Sequence, residues 1–248
     1  MTSMFAVIGG TGLGQLDGLQ SERDEQVSTP WGAPSAPLEY GRYHGRPVIF
    51  LPRHGRQHQL APHEINYRAN IEALHQAGVR EIVAVAAVGG IDPRLTPATL
   101  ALPEQLIDYT WGRAQSFSRP GEVIHADFTM PYSEALRQRL QKAASAAEVV
   151  MVSGGVYGAT QGPRLETAAE VDRLERDGCT MVGMTGMPEA TLARERGMDY
   201  ACLAVSVNPA AGRGTPGESI HASIEASLAE GMARVRAVLA AFIAAQGG

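Results

Sequence analysis

The chain has 248 residues, of which 44% are hydrophobic and 19% are charged, and its formal net charge is −5. This size and composition are typical of one globular domain with a large core, and the scattered basic residues argue against a nucleic-acid partner. Cys179 and Cys202 are isolated, which indicates neither a disulfide framework nor a zinc site. With no signal-peptide pattern and no apolar run of the roughly 20 residues that cross a membrane, we expect a cytoplasmic protein without a membrane partner.

Short apolar runs alternate with longer amphipathic segments along the chain. In chain order the patterns predict strands at 4–10 and 46–55, a helix at 62–78, a strand at 80–90, a helix at 133–147, a strand at 148–158, helices at 167–178 and 188–197, a strand at 200–208, and a helix at 218–245. This alternation predicts a single α/β domain over residues 1–248, with a mixed, largely parallel β-sheet flanked by helices. Ligands of such sheets bind beyond the carboxyl ends of the strands, so polar residues there are the candidate site.

A glycine-rich loop, VIGGTGLGQL, accompanies the first predicted strand. It fails the dinucleotide template G-x-G-x-x-G, because the sixth position is Gln15 or Asp17. It also fails the Walker template, because Gln15 and Leu16 stand where Lys and Ser or Thr are required. Two interpretations remain: a loop whose backbone and Thr11 hydroxyl approach a small anion, or a tight strand-to-helix turn without a ligand.

Further polar groups follow the other predicted strands. Arg53 offers a guanidinium suited to an oxyanion, and His54 stands beside it as a second donor. The alternatives are a surface salt bridge for Arg53 and a metal site of His54 and His58, for which no third ligand is nearby. The remaining groups at strand ends are the backbone of Ala86 and Ala87, the Thr185 hydroxyl and the Asn208 amide. Together they predict a site for one small oxyanion, and no Ser, Cys or Lys beside a base indicates a protein nucleophile.

Six motifs in order, IGGTGL, RHGRQH, NYRANI, QSF, GPR and GMTGMPE, resemble those of the methylthioadenosine phosphorylase branch of the trimeric purine nucleoside phosphorylase superfamily. The resemblance runs in register across nearly the whole chain. It implies phosphorolysis of a purine nucleoside, in which orthophosphate attacks C1′ of the ribose and the base departs. It also implies a homotrimer that uses orthophosphate as co-substrate and needs no cofactor or metal.

The resemblance also implies roles for particular residues. Phosphate would be held by Thr11, Arg53, His54, the Ala86–Ala87 backbone and Thr185. Met184 would lie under the ribose, Leu165 against the base, and His125 in the 5′ pocket of a neighbouring subunit. Family members often carry a hydroxyl where this chain has Ala86, so only a backbone contact is expected there. An adjacent phosphate anion would stabilise the oxocarbenium-like transition state.

The departures from the family concern the base. Asn208 and Ala210 stand where adenosine-type members carry carboxylates, and the Asn208 amide can donate to O6 or N7 of a departing 6-oxopurine. Glu166 resembles the acidic residue of inosine- and guanosine-cleaving phosphorylases and would accept the N1–H that neutral adenine lacks. The alternatives are a helix N-terminal carboxylate for Glu166 and the start of a turn for Asn208.

Fewer residues bear on the 5′ end of the nucleoside. His125 and the small residues of PAAG fit a methylthio group, whereas His221 either binds a 5′-hydroxyl or only begins the last helix. We therefore predict a 6-oxopurine nucleoside phosphorylase that acts on 5′-methylthioinosine. Inosine or guanosine is the first alternative and methylthioadenosine the second. A non-catalytic nucleoside-binding module, or a Rossmann-type redox module, is the alternative from a different class.

Overall fold

The computed structural model describes residues 4–215 and 224–245, which form eleven strands and five helices. The strands are β1 Met4–Gly9, β2 Gln20–Glu25, β3 Leu38–Tyr43, β4 Arg46–Pro52, β5 Val79–Gly90, β6 Leu100–Leu102, β7 Gln105–Asp108, β8 Met151–Ser153, β9 Val156–Ala159, β10 Met181–Gly183 and β11 Asp199–Pro209. The helices are α1 Tyr67–Gln76, α2 Glu134–Ala146, α3 Ala168–Arg176, α4 Glu189–Glu195 and α5 Ile224–Ala244.

All the strands belong to one sheet, whose main path runs β2-β3-β4-β1-β5-β10-β9-β7. β11 also pairs with β5 and extends the sheet through β6 to β8. Pairing is parallel for β1 with β4 and β5, β5 with β11, β9 with β7 and β10, and β6 with β8. It is antiparallel in the β2-β3-β4 meander, between β10 and β5, and between β11 and β6. The predicted mixed, largely parallel sheet is therefore confirmed.

Helices cover both faces of the central strands, as the alternation of the sequence predicts. Successive residues of β5 belong to two different cores: Ile82 and Ala84 pack on the side of α1 and α4, and Val83 and Val85 on the side of α2 and α5. Burial on both faces is the reason that β5 and β11 are almost continuously apolar. No helix within the described ranges is long and apolar enough to cross a membrane.

The differences from the predicted elements have physical reasons. β2 escaped prediction because all six of its residues are exposed and polar, so it shows no apolar alternation. The predicted strand 148–158 is two strands, because Gly154 and Gly155 have φ of 92° and 94° and turn the chain between β8 and β9. Helix α1 begins at Tyr67 rather than at position 62, because the side chain of Asn66 accepts from the Ala69 amide and caps it.

The sheet has a gap along one side of β5, and this gap creates space for a ligand. β1 pairs with β5 as far as Ala84, and β10 pairs with it from Gly89. Among the described residues, positions 85–88 therefore have no strand partner on this side, while β11 pairs with β5 on the other side. Backbone groups that a regular sheet would pair with a neighbouring strand are therefore available to other partners at this place.

Helix α5 lies close against β11 because position 231 is a glycine. A Cβ at Gly231 would come within 2.3 Å of Cγ1 of Val205. Val205 is fully buried and β-branched, so it has little freedom to move aside. The missing side chain therefore sets the distance between the helix and the strand that carries Asn208.

We expect Gly231→Ala to lower the free energy of unfolding by about 1–3 kcal/mol, because overpacking outweighs the gain of about 1 kcal/mol in helix propensity. Urea unfolding followed by circular dichroism measures the change. Ala229→Gly, at an exposed position of the same helix, is the control and should cost about 1 kcal/mol from propensity alone. A stabilised Gly231→Ala protein would contradict the close packing of α5 on β11.

Candidate active site

A cavity of about 220 Å³ opens at the gap beside β5. Eleven of the twelve residues predicted for the site line it: Thr11, Arg53, His54, Ala86, Ala87, Leu165, Glu166, Met184, Thr185, Asn208 and Ala210. His125 lies on the exposed segment between β7 and α2, away from this cavity. Because it is predicted to act in a neighbouring subunit, its role stays a prediction. His221 lies outside the described residues.

Arg53 forms a buried ion pair that the sequence did not reveal. Its side chain is 1% exposed, and its Nε and Nη2 donate to the two carboxylate oxygens of Glu189 at 2.7 and 2.8 Å. Glu189 is fully buried and also accepts from the Tyr200 hydroxyl at 2.9 Å. Burial by itself would lower the pKa of Arg53, but the charge and hydrogen bonds of Glu189 raise it above its usual range. Arg53 is therefore always charged, and the alternative of a surface salt bridge is wrong.

The remaining donors of Arg53 are available to the cavity. Nη1 donates one N–H to the Val85 carbonyl at 2.8 Å, inside the gap along β5. A guanidinium has five N–H donors, so two of them have no partner among the described residues. Gly10 lets the guanidinium pass, because a Cβ there would lie 2.9 Å from Nη1 and 2.5 Å from the Val85 oxygen. The glycine-rich loop therefore forms the wall of the cavity beside the two unpaired N–H donors of Arg53.

His54 differs from the expected second donor. Nδ1 lies 2.8 Å from the Leu60 carbonyl, an acceptor, so the neutral ring carries its proton on Nδ1. Burial first, and the nearby charge of Arg53 second, lower the pKa of His54 from 6.5 to about 4. Near neutral pH the ring is uncharged, and its Nε2 offers a lone pair rather than a proton. The His58 ring lies 4.4 Å from it between centroids.

The sequence suggested that the backbone and amide groups of the site follow the strands. In the structure they lie within strands. Ala86 and Ala87 are inside β5 at the gap, and Ala86 is buried. Asn208 is inside β11, directly after an irregularity in the pairing with β5 between Ser206 and Asn208. Such a bulge turns a side chain out of the regular alternation. The Asn208 amide then donates to the Pro209 carbonyl at 2.6 Å, which fixes Nδ2 and leaves its second N–H.

Glu166 is held in the site and does not cap the following helix. Thr167 is the N-cap of α3, and Glu170 completes the capping box with it. Glu166 instead accepts from the Thr160 hydroxyl, with Oγ1 and Oε1 2.7 Å apart. The alternative of a helix N-terminal carboxylate is therefore not supported. Glu166 lines the cavity, and its second carboxylate oxygen has no hydrogen bond among the described residues.

Arg113 is a second residue that sequence reasoning missed. Its Nη1 donates to the carbonyls of Met184 and Met187 at 2.8 and 2.6 Å, and its Nη2 to the Gln161 carbonyl at 2.8 Å. One guanidinium thus joins the loop that carries Met184 and Thr185 to the loop that leads to Glu166. An Arg directly before the AQSF stretch was the available signal, but nothing local indicates carbonyl partners so far along the chain.

Comparison with known proteins shows the family to which the chain belongs. A family model described as the phosphorylase superfamily matches residues 4–244, and the chain belongs to that enzyme family. A protein of Pseudomonas syringae pv. tomato named probable S-methyl-5′-thioinosine phosphorylase is 54% identical over 245 residues, which cover 98% of this chain and 99% of that protein. A probable 6-oxopurine nucleoside phosphorylase of Moorella thermoacetica is 42% identical, over 84% of this chain and 80% of that protein.

The solved structure of methylthioadenosine phosphorylase from Schistosoma mansoni in complex with adenine superposes with a TM-score of 0.93. It is 30% identical, and the match covers 99% of this chain and 92% of that one. These findings confirm the family resemblance, the fold and the enzyme class predicted from the sequence motifs. The roles of individual site residues stay predictions.

The Arg53–Glu189 pair leads to a prediction about stability. Replacing Glu189 by Gln leaves a buried guanidinium without its counter-charge, and we expect a loss of about 3–5 kcal/mol in the free energy of unfolding. The control is Glu170→Gln, because Arg164 and Glu170 also form two hydrogen bonds, at 2.8 and 2.7 Å, but on the surface, and Gln can keep the capping-box contact. That variant should lose far less, because solvent screens the pair. Equal losses measured by denaturant unfolding would contradict the role of burial.

The His54 environment predicts a pH dependence of stability. The folded pKa, about 4, lies below the ordinary value of 6.5, so the unfolded chain binds the extra proton between these values. The contribution of His54 is complete above about pH 6.5 and is lost as the pH falls towards 4. When the pH is lowered from about 7.5 to about 5, His54 alone should reduce the free energy of unfolding by on the order of 2 kcal/mol.

Urea unfolding of wild type and His54→Asn at the two pH values isolates the pH-dependent contribution of His54 to the free energy of unfolding. The amide of Asn does not titrate but can still donate to the Leu60 carbonyl, so the hydrogen bond is kept. We expect the variant to lose less stability on acidification than the wild type does. His75→Asn is the control, since His75 is only partly buried. An identical pH dependence for wild type and His54→Asn would show that His54 does not stay neutral in the folded protein.

Proposed function

We propose that the protein catalyses phosphorolysis of S-methyl-5′-thioinosine to hypoxanthine and 5-methylthioribose 1-phosphate. A phosphate oxygen bonds to C1′ as the bond from C1′ to N9 of the base breaks. One observation carries the proposal: a single cavity joins the free donors of Arg53 to two base-reading groups, Glu166 and Asn208. Relatives at 51–54% identity are named probable S-methyl-5′-thioinosine phosphorylase, which supports it.

Phosphate is proposed to bind to Arg53, Thr11 and Thr185, which all line the cavity. Two N–H bonds of Arg53 and the two hydroxyls supply donors in a site of low polarity, where they act strongly on an anion. Nε2 of the neutral His54 accepts the proton that monohydrogen phosphate carries. Orthophosphate is thus the co-substrate, and its charge stabilises the oxocarbenium-like transition state as it approaches C1′.

The base is proposed to lie between Asn208 and Glu166. The free N–H of Asn208 donates to O6 or N7 and shares the negative charge that develops on the departing purine. The free oxygen of Glu166 accepts N1–H, which hypoxanthine has and neutral adenine lacks. Met184 under the ribose and Leu165 against the base complete the proposed nucleoside site, and both line the cavity.

The 5′ end is proposed to take the methylthio group. Pro62, Val207 and Ile224 give this cavity apolar walls, in addition to Ala210 and Ala211. A homotrimer in which His125 of a neighbouring subunit reaches the 5′ end is part of the proposal, as is a cytoplasmic location. Light scattering tests the oligomeric state. Phosphate-dependent release of free base from the nucleoside tests catalysis against simple binding.

The substrate prediction concerns relative rates. We expect kcat/KM with phosphate to favour methylthioinosine over methylthioadenosine by on the order of 10⁴, because buried polar groups left unpaired reject the wrong base. The comparison also includes inosine and guanosine, which test the 5′ group. Methylthioadenosine is the second candidate, since the solved neighbours are methylthioadenosine phosphorylases at 30% and 33% identity. A clear preference for it would overturn the assignment of Asn208 and Glu166.

Asn208→Asp is expected to shift the ratio of kcat/KM towards 6-aminopurine nucleosides by at least about tenfold. A carboxylate can accept from the 6-amino group, whereas it repels O6 of hypoxanthine. Thr185→Val is the control: it should raise the KM for phosphate with every nucleoside and leave the base ratio unchanged. If Asn208→Asp also leaves the base ratio unchanged, Asn208 does not read the base.

A further inference from the structure

Thr160 follows β9 directly and supplies the one hydrogen bond that Glu166 makes among the described residues. We propose that Thr160 is a positioning residue that sets base specificity by fixing the Glu166 carboxylate. The inference rests on the proposed reading of N1–H by Glu166. A hydroxyl has a single proton, so Thr160 binds Oε1 and leaves Oε2 for the base.

Thr160 is itself rigidly placed. Its amide donates to the carbonyl of Gly183, the last residue of β10, at 2.8 Å. Its own carbonyl lies 3.4 Å from Nη2 of Arg113, the guanidinium that joins the two loops of the site. The position of the hydroxyl therefore follows from the sheet and not from the loop that carries Glu166.

The positive charge nearest in sequence does not compete for Glu166. Arg164 is bound through both terminal nitrogens to Glu170, at 2.8 and 2.7 Å. Among the described residues Glu166 makes no ion pair. An arginine would occupy both carboxylate oxygens, whereas a hydroxyl orients the group and keeps one oxygen free.

Space behind Glu166 makes the hydroxyl necessary. Glu166 lines the nucleoside cavity and also a second cavity of about 540 Å³, which Asp108, Trp111 and Arg173 help to line. Without the Thr160 bond, Glu166 is free to turn into the second cavity and away from the base.

Thr160→Val removes the hydroxyl and keeps the shape of the side chain. We expect kcat/KM for methylthioinosine to fall about ten- to hundredfold, as for loss of a hydrogen bond to a charged group. The value for methylthioadenosine, which has no N1–H, and the KM for phosphate should stay within about twofold. Thr160→Ser, which retains the donor, should restore the wild-type ratio between the two nucleosides.

Two further variants separate the possible outcomes. Thr110→Val is the matched control, because Thr110 lines the same second cavity and its buried hydroxyl has no partner among the described residues; it should leave the base ratio unchanged. In a Glu166→Ala background, Thr160→Val should have no further effect on that ratio, since no carboxylate remains to be oriented.

If Glu166→Ala removes the base preference but Thr160→Val does not, the role of Thr160 is overturned and the proposed function stands. An effect of Thr160→Val that persists in Glu166→Ala also overturns it, because the hydroxyl would then act in another way. If Glu166→Ala leaves the base preference intact, the reading of N1–H by Glu166 fails, and the role of Thr160 fails with it.

Discussion

The site depends on one buried ion pair, in which Glu189 neutralises Arg53 and both side chains are shielded from solvent. Arg53 follows β4, Glu189 begins α4, and the Val85 carbonyl that Arg53 also binds belongs to β5. The pair therefore joins three elements and aims the remaining N–H bonds at the cavity. A buried pair of this kind adds little to stability compared with apolar packing. Its consequence here is that fixed N–H donors face the cavity while the charge of Arg53 is already balanced by Glu189.

Departures from a regular sheet place the other polar groups. Between Ala84 and Gly89, β5 has lost β1 as a partner and not yet gained β10, so its backbone faces the cavity instead of a strand. The bulge before Asn208 turns an amide towards the same space. In continuous strands the β5 backbone groups would pair with a neighbouring strand, and the Asn208 side chain would follow the regular alternation. The cavity thus opens where the sheet is interrupted.

Site residues that follow a recognisable strand or loop could be predicted from the sequence. Residues whose importance depends on hydrogen-bond partners far along the chain could not. Arg53 could be found because it directly follows an apolar strand that ends near a glycine-rich loop. Glu189 could not, since its partner lies 136 positions away and its own segment reads as an ordinary helix start. Arg113 binds carbonyls 71 and 74 positions away, which no pattern of side chains encodes. Strands of three or four residues, such as β6 and β10, are too short to show a period.

By itself the sequence determined the α/β class, because apolar period and turn residues are local properties of the chain. It also determined which chemical groups are present near the strand ends, including an arginine, an amide in place of a carboxylate and an acidic residue before a helix. Only the tertiary structure decided the state of each group. The charge of Arg53 is balanced by Glu189, His54 is neutral with Nε2 as an acceptor, and Glu166 is hydrogen-bonded to Thr160. Charge state, tautomer and orientation depend on burial and on hydrogen-bond partners, and folding brings those partners from distant parts of the chain.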